Sequence, residues 1–168
     1  APAGKNAKGY NSITLQHSAG QVAVHADILE YLHGKDGGAG PKEEVGHVLY
    51  NRGLMNALMV VESIRTAQGK FGNKPLTGEQ VRWGIENLNL TSEDIKNLGF
   101  EGMMQPLKVS CEDHEGVRRA RVHQWTGSDW QFVSDWIEAD DAVLRPMVDA
   151  AATTYAKEKG IEKASCKT

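Results

Sequence analysis

The chain has 168 residues, 40% of them apolar and 24% charged, with a formal net charge of −3. That is the composition of a folded domain with a real core, and it excludes a largely disordered chain. Charges of both signs are mixed along the sequence, so neither a nucleic-acid stripe nor a polybasic membrane surface is expected. The longest apolar run, Ala57 to Val61, is far too short to span a bilayer.

The opening, APAGKNAKGY, has no initiator Met and is expected of a processed protein or a piece of a longer polypeptide. Ala1 to Lys8 is small and polar. Tyr10 to Gln16 alternates and predicts a strand, and His17 to Gly20 a turn. Val22 to His33 predicts a helix with Val22, Ile28, Leu29 and Leu32 toward the core. His25 and His33 lie two turns apart on it, too far to share an ion, and are expected at the surface or rim. Gly34 to Gly40, followed by Pro41, ends that helix in a loop.

His47-Val48-Leu49-Tyr50 is a short apolar run bounded by Gly46 and Asn51-Arg52-Gly53. It predicts a buried strand. Leu54, Met55, Leu58, Val61 and Ile64 follow at helical spacing, thickened by Met59 and Val60, and predict a helix lying against a sheet. Asn51 is the expected N-cap, because its side-chain oxygen can accept a free N–H of the first turn. Strand, turn and helix make half of a βαβ unit. Ligands of open α/β sheets sit at the carboxyl ends of strands, so Tyr50, Asn51 and Arg52 are the candidate ligand-binding residues. The plainer reading makes Tyr50 core, Asn51 a cap and Arg52 solvated.

Thr77 with Gln80, and Thr91 with Asp94, fit capping boxes for two short helices. The second ends at Gly99, a C′ glycine. Asn89-Leu90-Thr91 also matches a glycosylation sequon, although a helix cap explains Thr91 better. Arg119 to Trp125 and Trp130 to Ile137 alternate around Thr126-Gly127-Ser128-Asp129 and predict a β-hairpin. A last helix is expected from Asp140 or Asp141 to Lys159, ending at Gly160. Pro146 is tolerable only in a first turn, so the regular helix is expected from about Arg145.

The chemistry-bearing residues are few. Cys111, His114, His123 and Cys166 could form a zinc-like set, with Cys-x-x-His as one half-site and no clustered pair for the other. Read instead as an exported protein's two cysteines, Cys111 and Cys166 would be one bridge or two free thiols. Glu112, Asp113 and Glu115 form an acidic turn around His114, which could do acid–base work but reads better as solvated. Gly-x-Ser-x-Gly, the P-loop and Gly-x-Gly-x-x-Gly are all absent. Trp125, Trp130 and Trp136 fall on the hairpin. They could stack a ligand, but packing of the hairpin on the last helix is the simpler expectation.

Five long phrases, in order, resemble one family. They are VLYNRGLMNALMVVESIRTAQ, KFGNKPLTGEQVRWGIENLNLT, EGMMQPLKVSCEDHEG, HQWTGSDWQFVSDWI and LRPMVDAAATTYAKEKGI. They look like the C-terminal part of a branched-chain-amino-acid-type (Leu/Ile/Val-binding-protein-like) solute-binding protein of an ABC transporter. The resemblance implies an α/β fold: part of a type I periplasmic-binding-protein fold, with a parallel-sheet lobe, flanking helices and a C-terminal hairpin and helix. Residues 18–123 would be mostly N-terminal-lobe elements, and 1–17 and 124–168 C-terminal-lobe elements. The implied protein is periplasmic and non-catalytic, with no cofactor. It would bind a branched-chain amino acid, or a related amide or aromatic acid, between its lobes. Its implied partners are an inner-membrane permease and the first part of the same polypeptide, with no nucleic acid. The junction at Tyr50-Asn51-Arg52 would face the cleft, and Cys111–Cys166 fits a disulfide in an oxidising compartment. The competing expectation is a small metal-binding or redox module built on Cys111, His114, His123 and Cys166.

Overall fold

The computed structural model describes residues 4–15, 22–162 and 166. A 3-10 turn, Gly4–Ala7, leads into strand β1, Asn11–Thr14, inside the predicted strand. The turn expected at His17 to Gly20 lies outside the described residues. Helix α1, Ala23–Asp27, runs on through a π turn, Ile28–Leu32, and a 3-10 turn, His33–Lys35. Val22 packs on the core as expected, while Ile28 and Leu29 are half-buried and Leu32 is exposed. His25 is a correction: it is completely buried rather than at the rim. Its Nδ1 accepts the Val22 N–H at 3.0 Å, which satisfies one of the free donors at the helix start.

The stretch expected as strand, turn and helix is one helix, α2, Val48–Phe71. The first ladder bond, Asn51 N–H to the His47 carbonyl at 2.9 Å, makes His47 the N-cap and puts Asn51 inside the helix. Two features of the sequence explain the correction. Four apolar residues are too few to define a strand against a helical stripe that follows directly. The run is also not buried, since Val48 and Leu49 both reach solvent. Helix α2 therefore packs chiefly against a second helix, α3, Gly78–Glu86, rather than on a parallel sheet. Gly84 makes that approach close: a Cβ there would lie 2.1 Å from the Ser63 carbonyl oxygen.

Both capping boxes form. Thr77 Oγ1 accepts the Gln80 N–H while Gln80 Oε1 accepts the Thr77 N–H. Thr91 and Asp94 do the same for α4, Ser92–Asn97. The side-chain and backbone hydrogen bonds from Thr91 hold the Asp94 carboxyl below its usual range. Helix α4 ends at Gly99 with φ +80°, where a side chain would meet the Val24 backbone. Strands β2, Asn89–Leu90, and β3, Leu107–Lys108, pair beside α4. Leu58, Leu88, Leu90, Ile95, Phe100, Met103 and Val109 form the core between these elements.

The hairpin forms from β4, Arg119–Trp125, and β5, Trp130–Phe132, with a later short strand, β6, Ile137–Glu138, pairing the start of β4. Strand β1 adds antiparallel to the other side of β4. All strand pairings among the described residues are antiparallel, so the α/β fold stands without the parallel ladder that the supposed strand before α2 would have supplied. Helix α5, Asp141–Lys159, starts at Asp140, whose side chain accepts the Ala142 N–H, and ends at Gly160. Both ends are as expected, but the helix is regular from Asp141 rather than from about Arg145, so it carries Pro146 past its first turn. No α5 residue is buried. The hairpin tryptophans pack elsewhere: Trp125 donates its indole N–H to the Gly4 carbonyl, and Trp130 stacks on His123 and meets Tyr10 edge-on.

Candidate functional site

An open cleft of about 600 Å³ lies between the first half of α2 and the β1–β4 edge of the larger sheet. Helical spacing puts Arg52, Met55, Asn56 and Met59 along its α2 wall, because residues three and four apart share a face. Met104, Gln105 and Leu107 line it from the chain around β3, and Ile13, Leu15 and Arg119 from the sheet side. The wall is thus mostly methionine and aliphatic, with a few polar groups at defined places, the usual make-up of a small-molecule site.

Two of those polar groups are uncommitted. Arg52 is exposed and has no ion-pair or hydrogen-bond partner among the described residues. Gln105 is only 9% exposed. Its Nε2 donates to the Leu15 and Arg119 carbonyls at 3.4 and 3.5 Å, and its Oε1 is buried with no partner. Both neighbours are carbonyls, which only accept, so the amide nitrogen must face them and the oxygen must face away. Arg119, by contrast, is paired with Glu138 at 2.6 Å.

The three residues predicted at the ligand corner separate. Arg52 lines the cleft. Asn51, 1% exposed, is turned inward: its Nδ2 donates to the Gly46 carbonyl at 3.1 Å and its Oδ1 lies 2.7 Å from His25 Nε2. Since His25 Nδ1 accepts the Val22 N–H, the ring proton sits on Nε2 and is donated to Asn51. Tyr50 is half-buried and is not among the residues lining the cleft. Gln105 was not singled out from the sequence. A lone Gln between Met104 and Pro106 carries no periodic or motif signal, and only the approach of Leu15 and Arg119 from distant segments gives it a role.

The zinc-like set does not assemble. Cys111 and Cys166 are bonded to each other, with Cα atoms 5.6 Å apart. His114 lies 3.3 Å from Glu86, and His123 is buried in the sheet against Trp130. No group of three or more His, Cys, Asp or Glu among the described residues is placed to hold a metal ion. The acidic turn is a set of ion pairs. Arg118 reaches Asp113 at 2.6 Å, Glu115 at 2.8 Å and Asp141 at 3.2 Å. Burial pushes the Asp113 carboxyl up. Hydrogen bonds from Arg118 and the Glu115 N–H, with the charges of Arg118 and Arg145, together outweigh that and hold it below its usual range. The Glu115 and Asp113 hydrogen bonds in turn hold the Arg118 proton more firmly than usual.

With this geometry in hand, two solved structures match. One is an ABC transporter permease from the Pseudomonas fluorescens group, 45% identical over 99% of this chain and 40% of its own, with a TM-score of 0.88. The other is a branched chain amino acid ABC transporter from Thermus thermophilus with bound valine, 22% identical over 85% of this chain and 37% of its own, with a TM-score of 0.62. No protein-family model and no curated protein matches. The chain is similar along nearly its whole length to an ABC transporter component. Its fold is part of a type I periplasmic-binding-protein fold. It spans about two fifths of the length of either neighbour. No helix among the described residues is long and apolar enough to cross a membrane.

Proposed function

We propose that this chain is part of the solute-binding component of an ABC importer. It is periplasmic, binds a small solute, a branched-chain amino acid or a related amide or aromatic acid, and delivers it to a permease in the inner membrane without catalysing a reaction. The observation that carries this reading is the fold shared with a branched chain amino acid ABC transporter that holds valine. The cleft beside α2 supports it, being apolar with few polar groups. Of the three corner residues, Arg52 is the proposed contact and Asn51 its positioning residue, because the polar atoms of Asn51 are committed within the fold. In this reading β1, β5, β6 and α5 belong to one lobe and α1 to α4 to the other, with the chain crossing between them at the end of β4.

Thermal unfolding of the protein as its gene encodes it, with L-valine, L-leucine, small amides and aromatic acids, tests the proposal. A ligand at one hundred times its Kd should add about 2.7 kcal/mol of stability and raise the Tm. Unchanged melting with every probe at millimolar concentration would overturn it. The metal-module reading draws no support, since both of its sulfurs are consumed in the disulfide.

A further inference from the structure

We propose that Met55, Met59 and Met104 form a reversible oxidative modification site, at which a peroxide turns the apolar wall of the cleft beside α2 into a polar one. The proposal concerns the wall itself and holds whatever solute the cleft takes. Both cysteines are consumed in the Cys111–Cys166 bridge, so the five methionines carry the sulfur that a mild oxidant can still reach. The fold divides those five into three environments. Met103 is a core residue, 1% exposed, and Met147 stands 63% exposed on α5. Met55, Met59 and Met104 are half-buried, and each has neighbours of two opposite kinds. On one side is the core cluster around Leu58 and Phe100, against which all three pack. On the other is the open cleft of about 600 Å³, whose wall they share. Met55 and Met59 are four residues apart, so a single helix face carries both to that wall. Hydrogen peroxide, little larger than water, can enter such a cleft but reaches Met103 only if the core opens. In the reaction the thioether sulfur attacks one peroxide oxygen, and an S–O bond forms as the O–O bond breaks. The departing hydroxide takes the proton of the transferred oxygen and leaves as water. Sulfur gives up two electrons and the peroxide gains them. The product is a polar sulfoxide where a flexible apolar chain stood. Its oxygen demands a donor or water while the same side chain is held against the core, so hydration and packing cannot both be kept. Oxidation of Met147 brings no such conflict, because that side chain already stands in water. Three thioethers on one wall therefore make the cleft, rather than the most exposed methionine, the place where oxidation acts.

The test treats the protein as its gene encodes it with hydrogen peroxide, follows each methionine by peptide mass spectrometry and reads the Tm. Met147 and the three cleft methionines should each oxidise at least about tenfold faster than Met103. Conversion of the cleft methionines should lower the Tm by at least about 3 °C. Methionine sulfoxide reductases of both stereospecificities should restore it. Replacing all three, by Met55→Leu, Met59→Leu and Met104→Leu, keeps volume and apolarity, and this variant should melt at an unchanged temperature after the same treatment. Met147→Leu should leave the fall in Tm intact. Cleft methionines that oxidise no faster than Met103 overturn the proposal. So does an unchanged Tm with all three converted, or a Tm that falls equally in the triple variant. The oxidation rates are read on the unsubstituted protein, so they decide even where the triple variant fails to fold. The solute-binding reading stands or falls separately, because ligands alone test it.

Discussion

His25 and Asn51 join the start of α1 to the start of α2 through a single hydrogen bond in a completely buried place. Each partner is satisfied only because the other is present, so a one-sided deletion strands polar atoms. Asn51→Leu would leave the His25 Nε2–H and the Gly46 carbonyl without partners and should cost about 3 kcal/mol, read by urea denaturation. His25→Asn offers a test of geometry, since the shorter amide cannot span to both Val22 and Asn51. At Gly84 the physics is steric. A methyl group 2.1 Å from the Ser63 carbonyl forces α2 and α3 apart, and Gly84→Ala should destabilise by about 2 kcal/mol despite its better helix propensity. A stabilising Gly84→Ala in the same denaturation experiment would show that the two helices separate freely.

Among the elements, α5 is held differently from the rest. No residue of it is buried; instead the Arg118–Asp141 and Arg145–Asp113 ion pairs and the Cys111–Cys166 disulfide attach its start and the chain beyond its end. The bridge spans 55 residues, worth about 4 kcal/mol in the chain-entropy account. Reduction should therefore release α5 to hydrogen exchange while α2 to α4 stay protected. The ion pairs add a pH dependence whose sign follows from Asp113. Its carboxyl is held below the ordinary value, so its contribution is fully present above the ordinary value, about 3.9, and is lost as pH falls through the depressed one. Acid should loosen α5 further below about pH 4, and Asp113→Asn should remove much of that response. The short capped helices behave more simply: Thr77→Ala or Thr91→Ala should each cost about 1 kcal/mol.

At the scale of the whole molecule, two of the surfaces with exposed large apolar side chains lie on β1 and α5. Tyr10, Ile13 and Leu15 are exposed on and beside β1, an edge strand, and Leu144, Met147, Val148 and Tyr155 lie along one side of α5. An exposed apolar edge and an unburied stripe favour association with other polypeptide. The isolated 168-residue chain should self-associate with rising concentration in sedimentation, and Ile13→Lys should reduce that association. A strictly monomeric chain at high concentration would show that these faces are tolerated in water.

Local chemistry was enough to read several features from the sequence. Thr77–Gln80 and Thr91–Asp94 form their boxes because a hydroxyl or carboxylate three residues away meets the backbone whatever surrounds it. The β1 strand, the hairpin turn at Thr126 to Asp129 and the stop at Gly99 are legible for the same reason. The strand expected at His47 to Tyr50 is not formed, because four apolar residues carry no period of their own and the helix beside them extends by one hydrogen bond per residue. Burial of His25, the inward turn of Asn51 and the uncommitted oxygen of Gln105 depend on segments far apart in the chain. Such contacts form only when the folded chain brings those segments together, so only the tertiary structure could decide them.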